Sequence, residues 1–279
     1  MKLVYINGRY SRHDAAEISI NDRAVVFGDA LYESIAVHEG CLFDYQRHLD
    51  RLYAGMTSLK MQPYMAQSSV KVPVANLLQK EGIKQGLLYI QVSRGVYPRA
   101  HAIPKHGKGS LFMYFKKMPT FVENREIGVW LASDPRSAYC QHKATALLPN
   151  ILSKQDVIDK GGDEVVFIRD DRIIEAASAN VFLVKAGTLY TCPENQAIVP
   201  GVTRERLLNR ARHLGMDVVL QAPKMDWIEQ ADEMFTSHAS NAISHITHVN
   251  GQKIPTKRAV SEKLFGDYFR TCPRHCLIR

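Results

Sequence analysis

The hydrophobic and polar positions along the chain follow two periods, which predict a mixture of strands and helices. Short apolar runs bounded by turn residues predict strands, and these runs include KLVYING, LLYIQVS, SLFMYF and IGVWLAS. In ISINDRAVVFGDALYESIAVHEGCLF, the pairs Asn21-Asp22, Gly28-Asp29 and Glu39-Gly40 predict turns between further strands. The segment 163–193 predicts four short strands in succession.

Apolar side chains recur at helical spacing in other segments. A helix is predicted in YQRHLDRLYAGMTSL, where the apolar positions are Leu49, Leu52, Tyr53, Met56 and Leu59. Glycines end three further predicted helices, in SSVKVPVANLLQKEG, ILSKQDVIDKGGD and TRERLLNRARHLG. A short helix and then a strand are predicted in DWIEQADEMFTSHAS.

A polar, proline-containing segment, KKMPTFVENRE, predicts a boundary between two domains. We predict an N-terminal domain over residues 1–118 and a C-terminal domain over residues 119–279. The order of elements predicts an α/β (α+β) protein, in which an α+β domain is followed by a second α/β domain.

Composition narrows the class of protein. The chain has 279 residues, of which 46% are hydrophobic and 23% charged, as in ordinary globular proteins. No apolar run reaches the length of a membrane-spanning helix, and the N-terminus lacks the pattern of a signal peptide, so a cytoplasmic protein is predicted. The net charge of +8 is scattered, which indicates a solvated basic surface or an anion pocket, and no motif for nucleic-acid binding is present.

The cysteines and histidines indicate neither a disulfide framework nor a metal site. Five cysteines are an odd number without regular spacing, which predicts a reduced protein. In the C-terminal CPRHCLIR, Cys272, His275 and Cys276 lack a fourth ligand, so a frayed tail is expected. His238 and His245 are expected in strands or loops, and not as ligands.

Three segments of the second half carry candidate chemistry. Lys143 lies among small and apolar residues in HKATALLPN, where an amine is either an ordinary surface group or a sheltered nucleophile toward an aldehyde. Glu175 precedes the small residues AASAN, which favours a carboxylate at a place of close approach. Thr203 suits the N-cap of a helix with Glu205 in its first turn, and such a helix N-terminus after Gly201 can bind an anion.

The loop GVYPRAHAIP places Arg99 and His101 two residues apart between Pro98 and Pro104. An isolated pair of this kind is most often a solvated loop. The arginine is nevertheless a planar, permanently charged group that matches a carboxylate, and proline reduces the entropy lost when such a loop is ordered.

These segments together resemble the pyridoxal-phosphate aminotransferases of the branched-chain and D-amino-acid class, which also contains aminodeoxychorismate lyase. The similar segments are NDRAVVFGDALYE, HLDRLYAG, SRGVYPRAH, KATALLPNILSKQ, IEAASANVF, PGVTRERLL and ADEMFTSHAS. Their order and spacing cover most of the chain, except residues 60–80 and the tail after about residue 255. The resemblance implies a two-domain fold of type IV, with a smaller N-terminal α/β domain and a larger C-terminal pseudo-barrel domain.

The resemblance also implies roles for residues around a pyridoxal 5′-phosphate cofactor. Lys143 is implied as the Schiff-base lysine and as general base and acid, and Glu175 as the carboxylate that keeps the pyridine nitrogen protonated. Arg51, together with the backbone of Val202 and with Thr203, is implied as the phosphate-binding group.

One phosphate contact departs from the class pattern. Related enzymes often carry threonine where this chain has Ala239, and Ser240 is the expected substitute. The substrate carboxylate is implied to bind Tyr32, Arg99 and His101, the last two from the loop of a partner subunit.

The implied activity is transamination of D-amino acids by a homodimer, with D-alanine and 2-oxoglutarate as the expected substrates. The alternatives within the class are a branched-chain L-amino-acid aminotransferase and aminodeoxychorismate lyase. A non-catalytic paralogue that binds the cofactor is the alternative outside catalysis, and the presence of Lys143 and Glu175 argues against it.

Overall fold

A computed structural model describes residues 2–277 of the chain. The strands are β1 Leu3–Ile6, β2 Arg9–Arg12, β3 Ala30–His38, β4 Cys41–Phe43, β5 Gln85–Ser93, β6 Ser110–Lys117, β7 Glu126–Ser133, β8 Glu164–Arg169, β9 Arg172–Ala176, β10 Asn180–Lys185, β11 Thr188–Thr191, β12 Val218–Leu220, β13 Glu233–His238, β14 Ala242–Val249, β15 Gln252–Lys253 and β16 Arg274–His275. The helices are α1 Arg23–Phe27, α2 Tyr45–Ser58, α3 Lys71–Glu81, α4 Leu148–Ile158, α5 Val202–His213 and α6 Ala259–Thr271. No helix among these residues is long and apolar enough to cross a membrane.

The described chain divides into two compact units. The first runs to Thr120 and also contains His142–Ala146 and the tail from Pro273. The second contains Phe121–Gln141 and Leu147–Cys272. The chain first passes between the units two residues beyond the boundary predicted at 118/119, and the segment that carries Lys143 packs in the first unit, although its sequence position lies in the second half.

An antiparallel sheet forms the first unit, with the described strands in the order β16-β4-β3-β5-β6-β1-β2. Alternation along β3 buries Ile35 and Val37, and the helical spacing in α2 buries Leu49, Leu52 and Met56 in the same core. Gly82 ends α3 in the left-handed conformation, as the sequence predicts.

A mixed sheet forms the second unit, with the described strands in the order β12-β11-β10-β13-β14-β7-β8-β9 and β15 paired to β14. The pairs β7–β8, β7–β14 and β11–β12 are parallel, and the other pairs are antiparallel. The four successive strands predicted over 163–193 are confirmed as β8 to β11.

The segment RAVVF is a short helix, so the strand predicted there is wrong. The side chain of Asp22 accepts a hydrogen bond from the backbone N–H of Ala24 at 2.9 Å and caps the N-terminus of α1. Gly28 ends the helix with φ of +66°. Capping at both ends therefore outweighs the strand preference of two valines and a phenylalanine.

The C-terminal region is more ordered than the sequence indicates. Helix α6, which the sequence analysis missed, buries Leu264 and Tyr268. After it, β16 pairs with β4, so the expectation of a frayed tail is wrong for the described residues up to 277. The backbone N–H of Asp44 donates to the carbonyl of Pro273 at 3.0 Å, which adds a further contact to the tail.

A disulfide joins Cys41 to Cys276, which corrects the prediction of a fully reduced chain. The two residues are 235 positions apart, and strand pairing of β4 with β16 places their Cα atoms 4.2 Å apart. Cys140, Cys192 and Cys272 form no disulfide among the described residues. The cytoplasmic location stays a prediction, and a structural disulfide is uncommon in that compartment.

We expect Cys276→Ser to lower the free energy of unfolding by about 2–4 kcal/mol, because the disulfide restricts the unfolded chain across a long loop. Urea unfolding with and without dithiothreitol measures the effect. Reduction should bring the wild-type protein to the level of the variant and leave the variant unchanged. Cys140→Ser, which removes a free thiol, is the matched control, and equal wild-type stability in both buffers would contradict the prediction.

Candidate active site

Lys143 and Tyr32 lie together in the first unit, although the boundary predicted at 118/119 assigns Lys143 to the second domain. Backbone hydrogen bonds attach the segment 142–146 to the start of β3, with Tyr32 N donating to Lys143 O at 3.0 Å and Thr145 N donating to Ala30 O at 3.1 Å. These bonds place the Lys143 ammonium nitrogen 4.1 Å from the centre of the Tyr32 ring. The amine is thus held over an aromatic face and is partly buried.

Glu33 holds the guanidinium of Arg51 in a fixed position. It lies next to Tyr32 on β3, so its side chain points to the opposite face of the sheet, towards α2. Arg51 donates from Nε and Nη2 to the two carboxylate oxygens at 2.7 and 2.8 Å, and Nδ1 of His48 lies 2.7 Å from Oε2. Glu33 is fully buried.

The charges around Glu33 determine its ionisation. Burial by itself raises the pKa of this carboxyl, but the positive charges of Arg51 and His48 and their hydrogen bonds outweigh burial and lower the pKa to about 2. The sequence analysis missed Glu33, although a carboxylate inside the apolar run ALYESIAV was a signal for it.

The loop that carries Arg99 and His101 is anchored to α1. The Arg99 guanidinium lies 5.3 Å and the His101 ring 5.5 Å from the centre of the Phe27 ring, and both side chains are exposed. Arg23 donates from Nη1 to the carbonyl of Ala100 at 2.6 Å, and from Nε to Asp29 at 2.7 Å. Arg23 and Phe27 therefore fix the loop in place while leaving its cationic groups in solvent, and the sequence analysis had missed both.

In the second unit, Glu175 is buried in a network of hydrogen-bond donors. It forms an ion pair with Arg136, and it accepts hydrogen bonds from Asn180 Nδ2 and Val199 N, each at 3.1 Å to Oε2. Burial by itself lowers the pKa of Arg136, but Asp134 and Glu175 outweigh it and raise the pKa. Arg136 thus stays charged and stabilises the ionised form of Glu175; it comes from a separate segment, and the sequence analysis missed it.

Helix α5 begins beside this network. Its N-cap is Gly201 and not Thr203, which lies inside the first turn, so the predicted cap position is wrong by two residues. A Cβ atom at position 201 would lie 2.1 Å from Oδ1 of Asn180, so only glycine fits there. Val202 and Thr203 are buried, and their N–H groups belong to the helix end that has no intrahelical acceptors.

Ser240 lies after β13, where its backbone carbonyl accepts from Phe121 N at 3.0 Å. Its hydroxyl is 2.8 Å from Nδ1 of His238. Nearby in β13, the hydroxyl of Ser237 is buried and has no hydrogen-bond partner among the described residues. The second unit thus supplies a buried carboxylate with an arginine, a helix N-terminus and hydroxyl groups, a donor set suited to a phosphate-bearing heterocycle.

Comparisons with known proteins agree with this chemistry. The model of the family described as amino-transferase class IV matches residues 30–249. The chain is 30% identical to D-alanine aminotransferase from Staphylococcus haemolyticus over 258 residues, covering 91% of each protein. It is 29% identical to D-alanine aminotransferase from Bacillus licheniformis over 259 residues, covering 91% of this chain and 90% of that protein.

Solved structures share the fold at lower identity. The branched-chain amino acid aminotransferase from Escherichia coli superposes with a TM-score of 0.88 at 20% identity, covering 97% of this chain and 94% of that one. A putative 4-amino-4-deoxychorismate lyase from Legionella pneumophila gives a TM-score of 0.84 at 21% identity, covering 92% of this chain and 96% of that one. At such identities the likeness concerns the fold alone.

Proposed function

Because this chain belongs to the class IV aminotransferases, we propose that it transfers the amino group of D-amino acids, and of D-alanine in particular, to 2-oxo acids such as 2-oxoglutarate. The membership itself confirms three expectations from the sequence: the type IV fold, the class of enzyme and the cofactor pyridoxal phosphate. Bound pyridoxal phosphate supplies the electron sink for the charge left on the substrate carbon when its proton departs.

The residues of the second unit fit the phosphate of such a cofactor. Gly201 caps α5, and the N–H groups of Val202 and Thr203 lie in its first turn, where the helix dipole favours an anion. The Ser237 hydroxyl is a buried donor without a partner among the described residues, and a phosphate oxygen would satisfy it. We propose Val202, Thr203 and Ser240 as phosphate ligands of this unit. The role of Arg51 in phosphate binding stays an expectation from the resemblance.

Lys143 is the proposed catalytic residue. Its amine carries the proton that leaves the substrate carbon, first as general base and then as general acid. The hydrogen bonds between 142–146 and β3 hold the backbone of Lys143, so the amine moves only through its own side chain.

Glu175 is the proposed ligand of the pyridine nitrogen. The ion pair with Arg136 keeps this carboxylate ionised, and an ionised carboxylate stabilises a proton on the ring nitrogen. Asn180 links this carboxylate to the α5 end, because its Nδ2 donates to Glu175 and its Oδ1 lies against Gly201.

The proposed choice of substrate depends on one observation, the cationic loop held on Phe27. Arg99 and His101 lie on the same aromatic ring and present a planar charged group and a second donor to solvent. With the phenol of Tyr32 they form the set that we propose binds the substrate carboxylate. The D-alanine aminotransferases at about 30% identity favour the same substrate class.

Two other activities occur on this fold. The alternatives are a branched-chain L-amino-acid aminotransferase and aminodeoxychorismate lyase. A solved branched-chain amino acid aminotransferase and a putative 4-amino-4-deoxychorismate lyase share the fold. A panel of D- and L-amino acids, with 2-oxoglutarate and pyruvate as acceptors, distinguishes the three. We expect the visible absorption of the bound cofactor to change with D-alanine and not with L-leucine, and a change with L-leucine alone would overturn the proposal.

We expect Arg99→Ala to lower kcat/KM for D-alanine by about 10- to 100-fold, because a charge-assisted hydrogen bond to the substrate carboxylate is lost. The loss should appear mainly in KM, and the spectrum of the bound cofactor should not change. Lys105→Ala, which removes an exposed charge just beyond the loop, is the matched control. Loss of the cofactor from Arg99→Ala would show that the loop is structural.

We further propose a homodimer in which the loop of each copy completes the active site of the other. Exposed apolar side chains beside the loop support a protein interface, with 82% of Ile20, 61% of Val25 and 49% of Val96 accessible. Mixing inactive Lys143→Ala with Arg99→Ala tests this arrangement. Subunit exchange should restore about a quarter of native activity. About half of the dimers are then heterodimers, and each heterodimer has one intact site out of two. No recovery despite exchange would place both residues in the same subunit's site.

A further inference from the structure

His238 connects two serines at the turn between β13 and β14. Its Nδ1 lies 2.8 Å from the Ser240 hydroxyl, and its Nε2 lies 3.2 Å from the hydroxyl of Ser244 on the neighbouring strand. Burial, with smaller contributions from the charges of Arg125 and Lys154, lowers the pKa of His238 to about 4. The ring is therefore neutral near pH 7 and carries a single N–H.

The position of that N–H follows from the neighbouring amide. Oδ1 of Asn241 accepts from Val122 N at 2.5 Å, so the opposite side of the amide is the donor Nδ2. Nδ2 donates to the carbonyl of Ile243 at 2.5 Å and lies 3.5 Å from the hydroxyl oxygen of Ser244. We infer from this contact that the Ser244 hydroxyl uses its own proton towards Nε2 of His238. With Ser244 as that donor, the single ring proton belongs on Nδ1, which lies 2.8 Å from the Ser240 hydroxyl.

The direction of the hydrogen bond from Nδ1 of His238 determines whether the Ser240 hydroxyl keeps its own proton for another acceptor. When Nδ1–H donates to its oxygen, the serine does not use its own proton on the histidine, and that proton can bind an anion. Strand β13 packs against α5, the helix whose N-terminus is the proposed phosphate site. Ser240 follows the end of this strand, where Ser237 pairs with Asn180, the residue that lies against Gly201 at the start of α5.

We propose that His238 is a positioning residue that orients the Ser240 hydroxyl as a donor to the cofactor phosphate, through the chain Asn241 to Ser244 to His238 to Ser240. This inference rests on the proposed function, because the phosphate belongs to the proposed cofactor.

The test compares cofactor retention in His238→Leu, His238→Asn and Ser240→Ala. We expect His238→Leu to raise the dissociation constant of pyridoxal phosphate about tenfold. Binding of pyridoxal, which has no phosphate, should not change. His238→Asn places an amide donor near the position of Nδ1 and should retain most of the affinity. His238→Leu/Ser240→Ala should bind no more weakly than Ser240→Ala alone, because both changes remove the same contact.

NMR spectroscopy tests, independently of cofactor affinity, whether Nδ1 of His238 carries the ring proton. In the holoenzyme labelled with ¹⁵N-histidine, the resonances that disappear in His238→Leu should have the shifts of a neutral Nδ1–H ring. An Nε2–H ring, additive losses in the double variant, or equal weakening of pyridoxal and pyridoxal phosphate would overturn the role. A wild-type protein that binds the cofactor but transaminates no donor would overturn the proposed function instead.

Discussion

Lys143→Ala is expected to reduce transamination by about a thousandfold or more, the largest effect of any single substitution in the chain. The variant loses the amine that we propose both holds the cofactor and moves the substrate proton, and general acid–base catalysis alone contributes about 10²–10⁴-fold. Activity with D-alanine and 2-oxoglutarate measures the loss. Borohydride reduction of the wild-type holoenzyme followed by peptide mapping should locate the phosphopyridoxyl group on Lys143.

Two further variants show whether activity is lost because the Lys143 amine is missing or because a contact that stabilises the fold is missing. Lys143→Arg retains a positive charge near the Tyr32 ring but should be equally inactive, because a guanidinium does not replace the amine. Lys108→Ala removes a similar contact elsewhere in the first unit, where the ammonium lies 4.0 Å from the centre of the Tyr64 ring, and should retain activity. Label on another lysine, or an active Lys143→Ala, would contradict the assignment.

Glu33→Gln is expected to reduce the free energy of unfolding by about 3–5 kcal/mol, because it removes the charge that compensates Arg51 and His48 in a buried position. Urea unfolding at neutral pH measures the change. Glu39→Gln is the matched control, because Glu39 faces Arg274 at 3.6 Å on the surface and such exposed pairs contribute about 0–1 kcal/mol. A loss no larger than that of the control would contradict the predicted importance of the buried pair.

The difference in free energy of unfolding between wild type and Glu33→Gln depends on pH with a defined sign. The folded protein lowers the pKa of Glu33 from 4.5 to about 2, so the ionised carboxylate stabilises the fold fully above the unfolded value. That contribution is lost as the pH falls from about 4.5 through about 2. The stability difference between wild type and Glu33→Gln should therefore be constant near neutral pH and narrow in that window.

Local sequence signals predicted most elements of the fold. The apolar spacing in α2 and the glycine after α3 depend on neighbouring residues only, and the structure confirms both. The sequence also contained a signal for α6 that was missed, because Leu264 and Tyr268 recur one helical turn apart. For α1, a five-residue segment, the apolar composition indicated a strand, but capping at both ends makes it a helix.

For the candidate site, too, local sequence signals indicated some residues and missed others. Motifs of a few residues, taken together as a resemblance to one class of enzyme, indicated Lys143, Glu175 and the glycine before α5 as candidates. Glu33 acts on Arg51 from another element, and Arg136 acts on Glu175 from 39 positions away. Periodicity in one segment carries no information about which distant charge will pack against it.

By itself, the sequence determined the class of chemistry: a lysine amine, a buried carboxylate and a helix N-terminus, in the order typical of pyridoxal-phosphate aminotransferases of this type. Only the tertiary structure showed which groups contact them, namely Glu33 at Arg51, Arg136 at Glu175, Phe27 at the Arg99 loop and His238 at Ser240. It also decided the Cys41–Cys276 disulfide. The physical reason is that residue type follows local chemistry, whereas pKa, orientation and cross-linking depend on groups that only folding brings within hydrogen-bonding distance.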